Sequence, residues 1–249
     1  MIPLYDDNPT VRTPYLTVAL IAACVLVFFW QVSLPPRVGH AAVYSFGFIP
    51  AVFFDQASLP PEIAVIPSTA TLISSMFLHG GIMHLAGNML FLWIFGNNIE
   101  DVCGHGRFLV FYLLCGIAAA LAQALPDPGS EIPMIGASGA ISGVLGAYLM
   151  LFPHARVYVL IPFGLLFIHQ LKAGWLLVFW FVFQLISGAL ADTAEGGVAF
   201  WAHAGGFVAG MALIWLFRDQ KAVQAKRAGR SRIPPTWTRR GGPGPWERR

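Results

Sequence analysis

Hydrophobic stretches long enough to cross a lipid bilayer recur along the whole chain. A bilayer core about 30 Å thick needs roughly 20 predominantly apolar residues in one helix. Six windows of about this size contain no Asp, Glu, Lys or Arg: Tyr15–Ser33, Ile82–Ile99, Phe108–Leu125, Gly136–Phe152, Ala173–Ala191 and Val198–Phe217. This pattern predicts an all-α polytopic membrane protein with six transmembrane helices.

A seventh uncharged stretch, Val157–Leu171, is short and is interrupted by Pro162, Gly164, His169 and Gln170. We expect an interfacial or re-entrant segment here, because irregular backbone is not tolerated in a lipid-exposed span. The distribution of positive charge agrees, since six spans place fourteen of the 15 Lys and Arg residues on the inner side and leave only Arg37 outside. A seventh span would send the basic C-terminal tail to the outer side.

The chain divides into three parts on this interpretation. Residues 1–14 form a cytoplasmic N-terminus, residues 15–217 form the membrane domain, and residues 218–249 form a basic tail rich in Arg, Gly and Pro. We expect the tail to be disordered and to contact anionic lipid rather than nucleic acid. Within the membrane domain, the long apolar first loop Leu34–Leu78 is predicted to lie in the outer interface.

Composition narrows the class of protein further. Hydrophobic residues make up 57% of the chain and charged residues 11%, with a mean hydropathy of +0.67. A soluble domain carries about 25% charged residues, and a disordered chain needs low hydrophobicity, so both classes are excluded. The three cysteines lie in or beside apolar stretches and predict no disulfide framework. The first window is interpreted as an uncleaved span, because Asp6 and Asp7 outweigh Arg12 before it.

Polar residues inside predicted spans mark candidate functional positions, since burying them in lipid is costly. The second window carries His84 and Asn88, the fourth begins with Gly136, Ala137 and Ser138, and the sixth carries His203. Windows two, four and six all run from the outer side inward, so their first turns share one depth. His84 and Asn88 are four residues apart and therefore on one helix face. The topology predicts that these side chains converge.

Small residues indicate how the fourth and sixth windows approach each other. Gly139, Ser142, Gly143 and Gly146 form a stripe on one, and Gly206 and Gly210 form a GxxxG face on the other. Close packing would bring His203 within hydrogen-bond reach of Ser138, which is the geometry of a nucleophile and its base. No window contains a carboxylate, so a dyad rather than a triad is expected. Helix-terminal N–H groups near Ser138, with Asn88 and His84, are candidate oxyanion donors.

These motifs resemble the rhomboid family of intramembrane serine proteases. The resemblance covers about residues 74–210 and rests on His79-x4-His84-x3-Asn88, Gly136-x-Ser138-Gly139 and Ala202-His203-x2-Gly206-x3-Gly210. It implies a six-helix bundle in which Ser138 is the nucleophile and His203 the general base. It also implies that His84, Asn88 and the backbone N–H of Ser138 form the oxyanion hole, shaped by Gly136 and Ala137. The family usually carries a Trp-Arg pair in the first loop, whereas Leu34–Leu78 contains no Trp.

The resemblance further implies that substrates are transmembrane segments, cut near their outer ends after entry past the second and fifth spans. Trp175, Phe179, Trp180 and Phe183 would line the fifth-span gate. We expect transmembrane protein substrates and the lipid bilayer as partners, with no cofactor and no metal. The oligomeric state is left open. The short N-terminus favours a bacterial cytoplasmic membrane, with the active site facing outward.

Other interpretations of the same residues remain open. Ser138 taken alone is more typical of helix packing than of catalysis, and Ser142 is expected to pack or to bond back to its own helix. His79 and His84 lack the further ligands of a hydrolytic zinc site, and His79 is expected to hydrogen-bond the first loop. The main competing function is a non-catalytic binder of transmembrane helices with the same fold. A small-solute channel or transporter is disfavoured, because the polar residues gather at one end of the spans.

Overall fold

The computed structural model describes residues 1–163, 165–190 and 197–227, and they form a mainly helical bundle. The helices are α1 (Tyr15–Ser33), α2 (Pro36–Phe46), α3 (Pro50–Phe53), α4 (Ser68–Ser74), α5 (Ile82–Phe91), α6 (Asn97–Cys103), α7 (His105–Ala124), α8 (Ser138–Leu151), α9 (Ala173–Leu190), α10 (Phe200–Phe217) and α11 (Gln220–Arg227). A 3-10 turn follows α4, and a π-helical segment, Leu92–Gly96, joins α5 to α6. Three strands are β1 (Ile2–Asp6), β2 (Arg156–Phe163) and β3 (Leu165–Lys172).

The described residues contain four helices that are long and apolar enough to cross a membrane, namely α1, α7, α9 and α10. A fifth candidate is a broken pair, Ser68–Phe77 and Ile82–Cys103, whose two parts are bent by 84°. The protein is therefore an integral membrane protein. Helix α1 has the predicted bounds, and the other windows match helices within a few residues at most boundaries. The helical segment that matches the second window, Ile82–Cys103, runs four residues beyond the predicted end at Ile99. Ala191, the predicted end of the fifth window, lies outside the described residues.

Helix α8 is the short helix at the centre of the bundle. Its 14 residues give a length of about 21 Å at the usual α-helical rise. Most of its side chains are buried, including residues on every side of the helix, because α7, α9 and α10 all pack against it. A helix without a lipid-facing side can be shorter than the bilayer core. Helix α8 is therefore shorter than the long apolar helices around it, and its first residue, Ser138, lines a cleft.

The first loop is folded rather than a plain connector. It contains α2, α3 and α4, and Phe48 is fully buried against Ala120 and Ala124 of α7. The backbone of Phe48 also pairs with Met134, the segment that leads into α8. These contacts anchor the loop without a tryptophan. The loop therefore holds one wall of the cleft at Ser138.

A three-stranded antiparallel sheet corrects the prediction of an all-α chain. Strands β2 and β3 pair in register from Arg156–Lys172 to Phe163–Leu165, and β1 pairs with the other edge of β2. Val157 and Val159 are buried while their neighbour Tyr158 stacks on Tyr5 outside the core. This alternation of β-branched residues is typical of a half-buried strand. The stretch Val157–Leu171 is thus a hairpin, and the prediction that it is not a seventh span agrees with the structure.

Two buried carboxylates at the end of the bundle where α1 begins cap the start of α1 and hold the segment before it. Glu100 accepts hydrogen bonds from the backbone N–H groups of Leu16 and Thr17 at 2.9 and 2.8 Å. Asp101 accepts from the N–H groups of Val11 and Arg12 at 3.0 and 2.9 Å. Free N–H groups at a helix start are satisfied best by an acceptor that is also negative. The N-terminal segment is therefore fixed to α6 rather than free.

Helix α11 corrects part of the predicted disordered tail. Asp219 accepts hydrogen bonds from the N–H groups of Lys221 and Ala222, which is the pattern of a helix N-cap. Further along, Val223 is buried, and Lys226 Nζ lies 2.9 Å from both Asp101 Oδ2 and Asn98 Oδ1. The tail is therefore structured through Gln220–Arg227. The rest of the predicted tail, residues 228–249, lies outside the described residues.

Asp6 gives the N-terminal strand a pH-dependent stability. Burial raises the pKa of Asp6 to about 6, opposed by the hydrogen bond from Tyr148 and the charge of Lys226, while Asp7 adds to the rise. A carboxyl group with a raised pKa in the folded state stabilises the fold when protonated. That contribution is fully present below about pH 4 and is lost as the pH rises through about 6.

We therefore expect the wild-type protein in detergent to melt at a lower temperature at pH 7.5 than at pH 5. Asp6→Asn should remove most of this difference, which is about 1–1.5 kcal/mol between these two pH values. Thermal unfolding of both proteins across this range measures the effect, with Asp7→Asn as the matched control on the neighbouring residue. An equal pH dependence in wild type and Asp6→Asn would contradict the assignment.

Candidate active site

A serine and a histidine meet where α8 and α10 begin. Ser138 is the first residue of α8, and its Oγ donates a hydrogen bond to His203 Nε2 over 2.8 Å. The two residues are 65 positions apart in the chain. This is the arrangement of a nucleophile and its base, because the imidazole nitrogen is placed to take the hydroxyl proton. The predicted convergence of Ser138 and His203 is therefore present in the structure.

Glycine contacts bring the two helices close enough for this bond. A Cβ added at Gly206 would lie 2.1 Å from the carbonyl oxygen of Gly139, and one at Gly210 would lie 1.9 Å from that of Gly143. Both distances are far below van der Waals contact, so only glycine fits at these positions. Backbone against backbone is the closest packing that two helices reach. The predicted small-residue faces thus set the separation of Ser138 and His203.

A third polar residue, Gln184 of α9, completes the cluster and was missed in the sequence. Its Oε1 lies 2.8 Å from His203 Nδ1, so the two ring nitrogens of His203 bond to different helices. Gln184 is buried. The signal was available, because a glutamine in the middle of an apolar window is a candidate functional residue by the argument that selected Asn88. A neutral amide here takes the place that a carboxylate has in a catalytic triad.

His84, Asn88 and Gly136 lie together beside Ser138. Gly136 has φ +120°, and a Cβ there would lie 2.7 Å from the ring of His84 and 3.8 Å from Asn88 Nδ2. The left-handed φ and the close ring both require glycine. Asn88 Nδ2 is buried and has no hydrogen-bond partner among the described residues. A buried donor without a partner is costly, and its position next to Ser138 makes it available to an oxygen atom there.

The remaining predicted residues take local roles. Ala137 is buried, precedes α8, and accepts a hydrogen bond from the N–H of Ile141. Ser142 Oγ donates back to the carbonyl oxygen of Ser138 over 2.6 Å, as predicted for a helix-bonded serine. The ring of His79 packs on His84, and its backbone N–H donates to Gln31 of α1. Its Nδ1 lies 3.2 Å from the carbonyl oxygen of Phe77 at the end of the first loop.

These residues line one cleft of about 780 Å³ above the start of α8. Its walls come from α5, α8, α9, α10 and the segment before α8. The lining includes the polar residues His84, Asn88, Gln123, Asp127, Ser130, Ser138, Ser142 and His203, and much of the rest is apolar. A cleft of this size with a few convergent polar groups is the usual form of a binding site. Within the described residues, no three His, Cys, Asp or Glu side chains are grouped to hold a metal ion.

The predicted gate residues of α9 face two different environments. Trp175, Phe179 and Phe183 are exposed on the outer surface of the bundle, where a membrane protein meets lipid. Trp180 instead lines the cleft, and its ring lies 5.9 Å from that of His203. Helix α9 therefore separates the cleft from the lipid-facing surface.

Comparison with known proteins finds the rhomboid domain in this chain. A family profile described as "Rhomboid domain" matches residues 67–220. The chain is 31% identical to "Rhomboid protein 1, mitochondrial" of Saccharomyces cerevisiae over 182 residues, which are 69% of this chain and 48% of that protein. It is 47% identical to "Rhomboid protease GluP" of Bacillus subtilis over 78 residues, 31% of this chain and 15% of that protein. It is 34% identical to "RHOMBOID-like protein 5" of Arabidopsis thaliana over 151 residues, 60% of this chain and 45% of that protein. The matches thus cover about half or less of each relative.

Proposed function

The chain belongs to the rhomboid family, and from this premise we propose that it is an intramembrane serine endopeptidase. The observation that carries the proposal is the 2.8 Å hydrogen bond between Ser138 Oγ and His203 Nε2 inside the cleft. A relative named as a protease, in Bacillus subtilis, supports the same activity. The proposed reaction is hydrolysis of a peptide bond by a Ser-His dyad, with Ser138 as nucleophile and His203 as general base.

The proposed reaction has two steps, in which Ser138, His203 and water act on the substrate. Ser138 Oγ attacks the carbonyl carbon of the scissile bond while His203 Nε2 takes the hydroxyl proton. The C–N bond then breaks, the proton passes from His203 to the leaving amine, and an acyl-enzyme ester remains. Water attacks that ester with His203 again as base. The ester bond breaks, Oγ regains a proton, and the second product leaves as a carboxylate.

The proposed oxyanion hole surrounds the attacked carbonyl oxygen. Its donors are Asn88 Nδ2, the ring of His84 and the backbone N–H of Ser138, and Gly136 and Ala137 shape the turn that presents them. The unpartnered state of Asn88 Nδ2 supports this role, since a pre-oriented donor needs no reorganisation when negative charge develops. The start of α8 adds the positive end of the helix dipole.

Asn88→Ala is expected to lower kcat by roughly 10²-fold with little change in KM, because the lost hydrogen bond forms mainly in the transition state. The measurement is steady-state cleavage of a fluorescent transmembrane reporter in detergent. Asn97→Ala at the inner end of the same helical segment is the control, and it should stay within about threefold of wild type. A change in KM with kcat unchanged would contradict the assignment of Asn88 to the oxyanion hole.

We propose transmembrane protein segments as the substrates, cut near their outer ends. A peptide in a helix has its carbonyl groups hydrogen-bonded within the helix, so it must unwind before Ser138 can attack. Helix-breaking or small residues near the cut are therefore expected. The route of entry is past α5 and α9, whose exposed aromatic residues Trp175, Phe179 and Phe183 support a lateral gate on the lipid side.

We propose six spans, formed by α1, α5 with α6, α7, α8, α9 and α10, with both ends of the chain inside. The charge asymmetry supports this orientation, because only Arg37 lies on the proposed outer side. The membrane domain is residues 15–217, flanked by the N-terminal segment 1–14 and the basic tail 218–249. We propose a bacterial cytoplasmic membrane as the location, with the cleft open to the outside.

The test of this function is cleavage of a transmembrane reporter by the purified protein. The reporter carries a helix-breaking residue near the outer end of its span, and a matched reporter carries leucine there. The proposal predicts that the protein cleaves the first reporter faster than the second, within the membrane segment. A folded protein that binds the reporter without cutting it would instead assign the chain to the non-catalytic binders of the same fold.

A further inference from the structure

Helix α9 carries one polar residue among its buried positions. Those positions are Ala173, Leu177, Gln184 and Gly188, and their spacing places them on one face. The opposite side carries exposed aromatic and aliphatic residues. From this buried face Gln184 contacts His203 of α10, and an amide in an apolar helix is retained at a cost.

The bond from His203 to Gln184 determines which ring nitrogen of His203 carries hydrogen. Gln184 Oε1 can only accept, so the nitrogen 2.8 Å from it, Nδ1, must donate. A neutral imidazole has one N–H, so Nε2 is left with its lone pair facing Ser138 Oγ. With the opposite tautomer, Nε2 could not accept the proton of Ser138. Gln184 therefore holds both the orientation and the tautomer that general-base chemistry needs.

The position of Gln184 in turn depends on how α9 packs against α10. The ring of Phe181 stacks on Phe207 of α10 with centroids 4.7 Å apart. Gly188 follows Gln184 by four residues and lies close to Phe200 of α10. A Cβ added at Gly188 would lie only 3.1 Å from the Cβ of Phe200. The acceptor for His203 thus belongs to a helix that touches α10 through a narrow stripe and faces lipid elsewhere.

We propose that Gln184 is a positioning residue: it makes the ability of His203 to act as a general base depend on the packing of α9 against α10. The inference rests on the proposed serine protease function and adds a mode of regulation to it. While α9 is seated against α10, Gln184 keeps the Nδ1–H tautomer and Nε2 is ready as a base. Any displacement of α9 from α10 would separate Gln184 from His203, so that His203 loses its acceptor and hydrolysis slows.

Three variants on α9 test the positioning role. Gln184→Met removes the acceptor at similar volume and is expected to lower kcat by roughly 10- to 100-fold with KM nearly unchanged, less than loss of a charged triad partner. Gln184→Glu keeps an acceptor at the same place and should restore kcat to within about fivefold of wild type. Leu185→Met introduces the same residue one position away and should match wild type. Equal kcat in Gln184→Met and wild type would overturn the proposal.

The coupling to α9 is tested by combining two changes. Phe181→Ala loosens the contact with Phe207 and should slow labelling of Ser138 by a fluorophosphonate probe severalfold. In the Gln184→Met background the same change should have little further effect, because the link to His203 is already broken. Independent, multiplicative effects of the two substitutions would overturn the coupling.

A spectroscopic measurement tests the role of Gln184 independently of the proposed protease function. The ¹⁵N chemical shifts of His203 in wild type should report hydrogen on Nδ1, and Gln184→Met should shift the tautomer population toward Nε2. Hydrogen on Nε2 in the wild type would overturn the role of Gln184 even if every variant failed to fold. If wild type shows the expected tautomer but neither cleaves nor is labelled, the proposed protease function fails and the structural role of Gln184 stands.

Discussion

Ser138→Ala is expected to abolish cleavage of the transmembrane reporter while leaving the bundle folded. The substitution removes the attacking oxygen, and removing a nucleophile from a serine protease costs on the order of 10⁴-fold or more in kcat. The fold should be retained, because the Oγ of Ser138 bonds His203 in the cleft and a methyl group fits in its place. The backbone carbonyl of residue 138, which accepts from Ser142, is unchanged. Initial cleavage rates and thermal unfolding of the purified protein measure both expectations.

Ser142→Ala is the matched control for this prediction. Ser142 lies one turn deeper on the same helix, and its hydroxyl bonds back to the Ser138 carbonyl oxygen. We expect activity within about threefold of wild type, because such a bond contributes only about 1 kcal/mol to stability and nothing to chemistry. If Ser142→Ala abolished cleavage and Ser138→Ala did not, the nucleophile would be Ser142 and the assignment of Ser138 would be wrong.

The second large effect concerns the packing of α8 against α10. Gly210→Ala would place a Cβ 1.9 Å from the carbonyl oxygen of Gly143, and neither backbone can yield without separating the helices. Overpacking of a rigid contact costs about 1–3 kcal/mol or more, which corresponds to roughly 5–10 °C in melting temperature for a domain of this size. Because α10 also carries His203, we expect cleavage to fall by at least about tenfold in whatever protein remains folded.

Gly106→Ala adds the same methyl group where it meets no atom within 4 Å. This control on α7 should be neutral or slightly stabilising, since alanine favours the helix by up to about 1 kcal/mol over glycine. Parallel melting curves and reporter assays of the two variants make the comparison. Unchanged stability and activity in Gly210→Ala would contradict the backbone contact between the two helices.

The membrane helices were predictable because lipid imposes a simple rule on sequence. A span must be apolar over a fixed length and must satisfy its own backbone, so charge-free windows find it. Helix α1 has the predicted ends, whereas α8 is shorter than its window because it is surrounded by protein. The meeting of Ser138 with His203 was also predictable. It followed from alternating span direction and from glycine faces, and neither needs knowledge of side-chain contacts.

The parts that escaped prediction depend on pairing between distant segments. Strands β1 and β2 are joined by partners more than 150 residues apart, and the short run Val157–Leu171 was judged by its lack of charge rather than by its alternation. In the sequence Glu100 and Asp101 are only the charges that follow an apolar window, whereas in the structure they cap α1 and bind the N-terminal segment. Lys226 belongs to a run of basic residues in the sequence, yet its side chain lies buried against Asp101. Charges that are matched in space cannot be recognised along one chain.

Gln184 shows a different limit. The residue type and its place in an apolar window were visible in the sequence, but its partner was not, because α9 packs against α10 through a face that only the structure defines. An amide acceptor serves the neutral imidazole of His203 as a carboxylate does elsewhere, at a smaller electrostatic effect and a smaller cost of burial in the membrane.

The central claim is that Ser138 is a nucleophile activated by His203. The most direct test is labelling by a fluorophosphonate probe, which reacts only with an activated serine, followed by mass spectrometric mapping of the modified residue. We expect one labelled residue, Ser138, in wild type, and loss of labelling in both Ser138→Ala and His203→Ala while both variants stay folded. Absence of labelling in folded, reporter-binding wild type, or equal labelling in His203→Ala, would contradict it.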